Sequence, residues 1–151
     1  MVVYRIGKTI HGNDLTGEGS KLSGGRWNHI GISCLYTSES RALSVLEYSA
    51  NVALDLLPNS LSFTSIEIPD NSLTEFSLSD LPNDWKNPVS PLSTKNFGTL
   101  LFKKAEYLAL KIPSVIVSQE FNYLINPTHP DISRVTIKEI VDFVYDIRIK
   151  N

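Results

Sequence analysis

Three side chains in the stretch Gly17 to Glu47 have types and spacings suited to a charged, phosphate-bearing ligand. Arg26 follows Gly24-Gly25 and precedes Trp27-Asn28. A guanidinium on a glycine turn is a natural clamp for diphosphate or carboxylate, because its planar fork meets two oxygens at once. Tyr36 falls at the end of an apolar run, where an aromatic face can stack on a flat ligand and attract a cationic ring. Glu47 falls on a helical stretch, and a carboxylate there suits a developing oxocarbenium ion or a sugar hydroxyl. Each has a plainer alternative: an arginine stacked on Trp27, a core tyrosine with its hydroxyl at the surface, and a solvated helix-edge acid. Ser114, Asn122 and Asn126 form a later polar set.

Several other chemistries are disfavoured by what the chain lacks. No Gly-Lys-Ser/Thr follows the glycines, and no Gly-x-Gly-x-x-Gly occurs, so neither a P-loop nor a dinucleotide fingerprint is present. The histidines His11, His29 and His129 have no metal-ligand spacing, so no metal is expected. No Gly-x-Ser-x-Gly elbow supports Ser114 as a hydrolase nucleophile. The single cysteine, Cys34, lies in an apolar run that reads as buried and inert. The formal net charge of -2 argues against binding nucleic acid through a broad basic face. No apolar run spans a membrane, and the first residues carry no secretory signal, so the expected location is cytoplasmic.

The elements that must position these groups read as follows. The 151 residues suit one domain covering residues 1–151. Val2 to Ile6 predicts a strand, and residues 7 to 25, with six of the eight glycines, predict a loop. Ile32 to Thr37 predicts a strand, and Ser38 a helix cap. The following helix is expected from Glu39 to about Leu57, with Ala42, Leu43, Val45, Leu46, Ala50, Ala53 and Leu57 on the buried face and Glu47 at its border. Leu61 to Ile68 predicts a strand. Residues 69 to 95 read as turns, with Trp85 a packing anchor and a brief strand within Leu73 to Leu78. Ser93 or Thr94 should cap a helix over Lys95 to Leu108. Ile112 to Val117 and Asn122 to Ile125 predict strands, and Val135 to Ile149 alternates as a strand does. Strands outnumber helices without regular alternation, which predicts an α+β fold of mixed or antiparallel sheets flanked by helices.

The run from Gly17 through Gly24-Gly25-Arg26-Trp27-Asn28, then Leu35-Tyr36-Thr37-Ser38 and Leu46-Glu47, resembles the opening of the RES domain. The resemblance continues through Ile112-Pro113-Ser114-Val115-Ile116-Val117, Asn122-Tyr123-Leu124-Ile125-Asn126-Pro127-Thr128-His129-Pro130 and the closing Tyr145-Asp146-Ile147-Arg148. It covers nearly the whole chain in order. The chain departs from the family pattern at Ser20, Ser23 and Thr99-Leu100-Leu101, which read as packing positions.

The resemblance implies the rest. The family is named for an arginine, a glutamate and a serine, which by motif are Arg26, Glu47 and Ser114, with Ser118 the alternative serine; Tyr36 matches the family's active-site tyrosine. Gly25, Trp27, Asn28 and Asn122 join them as substrate-binding residues. The fold is then expected to be similar to that of ADP-ribosyltransferase toxins. The implied function is a bacterial type II toxin that degrades NAD by hydrolysis or phosphorolysis, with NAD as substrate and no metal. Arg26 would hold phosphate, Tyr36 stack on nicotinamide or ribose, Glu47 stabilise the ribosyl cation, and Ser114 fix the nicotinamide end. The implied partner is an Xre-type helix-turn-helix antitoxin; a homodimer is admitted. The alternatives are a protein ADP-ribosyltransferase, a ribonuclease toxin, which would want a basic face, and an inactive binding module.

Overall fold

A computed structural model describes residues 1–150. Seven strands form one sheet: β1 (Val2–Lys8), β2 (Leu35–Ser38), β3 (Leu61–Glu67), β4 (Leu73–Glu75), β5 (Ala109–Pro113), β6 (Phe121–Ile125) and β7 (Thr136–Phe143). Their order is β4-β5-β6-β2-β1-β3-β7. All neighbours run antiparallel except β4 and β5. Three helices accompany the sheet: α1 (Glu18–Ser23), α2 (Arg41–Asn51) and α3 (Leu92–Lys104). The class is the α+β arrangement with a mixed sheet that the sequence predicts. No helix among the described residues is long and apolar enough to cross a membrane.

The core follows from strand alternation. Ala109, Tyr123 and Ile125 face one side with Val3, Leu35 and Ile66. Leu110, Ile112 and Leu124 face the other, where Phe102 of α3, Leu81, Trp27 and Trp85 cover them. Trp85 is thus the anchor that its position suggests. The two halves of the sheet meet at a thin seam. β1 pairs with β3 along its whole length, but with β2 only at Tyr4 opposite Ser38.

Several boundaries differ from the sequence reading. The glycine-rich stretch holds α1, which follows Gly17 in the left-handed region (φ 69°) and has no apolar periodicity to announce it. β2 runs on to Ser38, whose hydroxyl binds Asn122 (2.7 Å); the cap of α2 is Ser40, accepting from the Leu43 amide at 3.0 Å. Residues 32–34 precede the strand. α2 stops at Asn51. Lys150 Nζ donates to the carbonyls of Ser49 (2.7 Å) and Val52 (2.9 Å), supplying partners at the helix end that a further turn would otherwise supply. α3 starts at Leu92 after Pro91, and both predicted caps are used elsewhere: Ser93 binds Asp84, and Thr94 binds the Pro91 carbonyl. The strand expected over Ile112 to Val117 is β5, ending at Pro113, and Ser114 opens the loop to β6. Beyond β7, Asp146 caps a short 3-10 turn, Ile147–Ile149, and ends the predicted alternation.

α3 can approach the Arg26–Asn28 segment only because residue 98 lacks a side chain. A Cβ on Gly98 would lie 1.9 Å from the Trp27 carbonyl oxygen. Gly98→Ala is therefore expected to destabilise the fold by about 1–3 kcal/mol, read as a lower midpoint in urea denaturation. Gly19→Ala, where nothing lies within 4 Å of the new Cβ, is expected to be neutral or mildly stabilising. Equal midpoints for the two variants would remove Gly98 as the determinant of this packing.

Candidate active site

α2 buries only part of the face that its apolar residues mark. Ala42, Leu46 and Ala50 are exposed, while Leu43, Ser44 and Ser49 are buried. The two serines meet the cost of burial by bonding back to their own helix, Ser44 to the Arg41 carbonyl and Ser49 to that of Val45. The rotation carries Glu47 from the expected border inward.

There, Glu47 Oε1 accepts two hydrogen bonds, from Ser114 Oγ (2.7 Å) and from Asn122 Nδ2 (2.5 Å). Among the described residues Oε2 has no partner. Ser114 is fully buried and its hydroxyl is saturated. It donates to Glu47 and accepts from the amides of Ile116 (3.0 Å) and Val117 (3.2 Å). A hydroxyl has one proton and two acceptor sites, so none remains for a ligand in this arrangement. The geometry selects Ser114 as Glu47's partner, since Ser118 makes no bond to Glu47. Asn122 is oriented in turn by Ser38, whose Oγ donates to Asn122 Oδ1.

The glycine turn is built around Tyr36. The tyrosine hydroxyl donates to Asn28 Oδ1 (2.6 Å) and accepts from the Trp27 amide (3.0 Å). Asn28 is fully buried and donates to the carbonyls of Ser20 (2.9 Å) and Ile32 (2.8 Å). A Cβ on Gly25 would stand 2.5 Å from the Tyr36 hydroxyl, which is why glycine is needed there. Burial, with Cys34 close by, pushes the Tyr36 phenol well above its ordinary range, so it stays protonated. Burial also pushes the Cys34 thiol up, as suits packing rather than nucleophilic attack.

Arg26 is committed in a way that its sequence context does not reveal. Nη1 donates to the carbonyls of Trp85 (2.9 Å) and Asn87 (2.8 Å), and Nη2 to that of Pro88 (3.2 Å). Burial lowers its pKa, and the charge of Glu47 opposes the shift. The guanidinium remains charged.

These groups surround a cavity of about 1270 Å³, lined among others by Gly25, Arg26, Trp27, Tyr36, Glu47 and Asn122. A smaller space of about 210 Å³, between β1, β2 and α2, shares Tyr36, Glu47 and Asn122 with it. Six of the eight predicted site residues thus share one cavity; Asn28 and Ser114 lie behind its wall and hold Tyr36 and Glu47. Lys86, Lys95 and Tyr48 also line it. No spacing marks them in the sequence: Lys86 stands in a stretch of turns and Lys95 at a helix start. No three His, Cys, Asp or Glu side chains among the described residues are grouped as metal ligands.

The chain is similar to known proteins in sequence and in fold. The family model described as "RES domain" matches residues 2–146. The "Prs ADP-ribosylating toxin" of Sphingobium sp. is 34% identical over 145 residues, covering 94% of this chain and 90% of that protein. A "Toxin Res" of Photorhabdus laumondii subsp. laumondii is 34% identical over 152 residues, covering 99% and 97%. In solved structures, a chain of the M. tuberculosis MbcT-MbcA toxin-antitoxin complex superposes with a TM-score of 0.73 at 18% identity, covering 95% of this chain and 84% of that one. The likeness at this identity concerns the fold.

Ser114→Ala removes the donor to Glu47 and the acceptor for two loop amides. It is expected to cost about 1–3 kcal/mol of stability, measured by urea denaturation. Unchanged stability would mean that the loop after β5 does not depend on this hydroxyl.

Proposed function

The chain belongs to the RES domain family, and from that membership we propose that it is an NAD-consuming toxin of a bacterial type II toxin–antitoxin pair. Its antitoxin is of the Xre helix-turn-helix type, and it acts in the cytoplasm, where NAD and antitoxin meet. The observation that carries the chemistry is Glu47, held through Oε1 by Ser114 and Asn122 with Oε2 unpartnered, on the wall of a cavity shared with Arg26 and Tyr36.

In this reading the bond between the nicotinamide nitrogen and ribose C1′ breaks, and its electron pair returns to the nicotinamide ring. The ring was a cation and leaves neutral, so no acid is needed to protonate it. C1′ gains oxocarbenium character, which the Glu47 carboxylate stabilises in place. Tyr36, neutral and fixed by Asn28 and Trp27, lends its face to the nicotinamide or ribose. Ser114 and Asn122 keep the carboxylate from swinging away. Arg26 stands at the end that takes the phosphates. The nucleophile adds to C1′: water yields ADP-ribose and a proton, and phosphate yields ADP-ribose 1″-phosphate.

A second reading, protein ADP-ribosylation, is favoured by the name of the Sphingobium relative. It differs from the first only in the nucleophile, a side chain of another protein.

Purified protein incubated with NAD is expected to release nicotinamide. Products in phosphate-free and phosphate buffers separate hydrolysis from phosphorolysis, and label transfer from NAD onto protein reveals the third outcome. Glu47→Gln keeps an acceptor for Ser114 but removes the charge, and is expected to lower kcat/KM by about 10²–10³-fold. Turnover equal to wild type would remove Glu47 from the mechanism.

A further inference from the structure

The cavity is far more basic than the chain that encloses it. Four cationic side chains line it, Lys8, Arg26, Lys86 and Lys95, with Glu47 the only carboxylate; the formal net charge of the whole chain is -2. Among the described residues none of the four takes part in an ion pair with a carboxylate. A concave wall of one sign focuses its field on whatever enters, and here it selects an anion.

Arg26 has given three of its five donors to the fold, which leaves only Nε–H and one Nη2–H for a ligand. Both Nη1 protons and one on Nη2 already go to the carbonyls of Trp85, Asn87 and Pro88. Those bonds fold residues 85–88 against the glycine turn, and the segment they hold carries Lys86. The Lys86 ammonium lies 5.4 Å from the centre of the Trp85 ring, exposed and unpaired. Lys95, in the first turns of α3, donates to the Gly25 carbonyl. An ammonium has three protons, so two of its donors remain.

Building on the dinucleotide reading above, we propose that Lys86 and Lys95 bind the diphosphate. Arg26 is a positioning residue that holds the 85–88 segment so that Lys86 faces the cavity. Lysine then supplies mobile point charges, and most of the rigid arginine fork is spent on backbone carbonyls that match its geometry.

The test uses the full chain and ADP, which has the diphosphate but no nicotinamide, with adenosine as the uncharged comparison. Calorimetry is expected to give an ADP Kd about tenfold weaker for Lys86→Met and for Lys95→Met, with a shallower salt dependence. Adenosine binding should not change. Lys104→Met, which removes the same charge away from the cavity, should leave ADP binding at the wild-type value. In NAD turnover the two cavity variants should raise KM with kcat within about twofold. Arg26→Lys keeps the charge but loses the fork, and should weaken ADP in the wild-type background yet add little in the Lys86→Met background. Full additivity would overturn the positioning role. ADP affinity unchanged in both lysine variants, or no ADP binding by wild type, would overturn the diphosphate site. A wild type that binds ADP through these lysines but leaves NAD intact would keep the site and sink the NAD-consuming reading alone.

Discussion

One oxygen atom, Oε1 of Glu47, ties together elements that are distant in sequence. Through it α2 is joined to the loop after β5 by Ser114 and to β6 by Asn122. Two neutral donors fix the carboxylate without neutralising it, whereas an arginine in contact would have consumed the charge that the site needs. Arg26 is held away by three backbone carbonyls, close enough to feel Glu47 but not bonded to it. The helix must rotate to place Glu47 so, which exposes Ala42, Leu46 and Ala50 and buries two serines. Packing is thus subordinate to the position of one acid.

That subordination explains which features were legible in the sequence. Where burial alone decides, patterns read true. The Leu61 to Ile68 stretch is β3, ending one residue earlier, Trp85 is a core anchor, and the short strand expected at Asn122 to Ile125 is β6. The glycine pair before Arg26 also marked a real close approach, because Gly25 touches the Tyr36 hydroxyl. Where polar contacts decide, the patterns misled. The apolar stripe of α2 marked Leu43 correctly but not Ala42, Leu46 or Ala50, and Ser38 looked like a cap but serves Asn122. α1 is short and glycine-bearing; a hydrogen bond between Ser20 and the Cys34 backbone secures it rather than an apolar face.

The residues of the candidate site were found by motif, but their roles became legible only with the fold. Asn28 and Ser114 match the family pattern as well as Tyr36 and Glu47 do, yet they stand behind the cavity wall. Spacing along the chain cannot distinguish a residue that touches a ligand from one that orients its neighbour, because both are equally constrained. Lys86 and Lys95 carry no spacing signal at all, since a lysine among turns or at a helix start is ordinary in any soluble chain.

The thin seam between β1 and β2 has a thermodynamic consequence. Two half-sheets share one apolar core but pair through the backbone only at Tyr4 and Ser38, so this seam is where local opening breaks the fewest ladder bonds. The smaller cavity spans this seam, with β1 residues on one side and Tyr36, Ser38 and Glu47 on the other. A ligand bound against those groups staples the halves, and by mass action it stabilises the closed molecule in proportion to the logarithm of its concentration. On the NAD-consuming reading the protein destroys its own staple. Its resistance to local opening, and to the proteases that exploit such opening, would then fall as its substrate is exhausted.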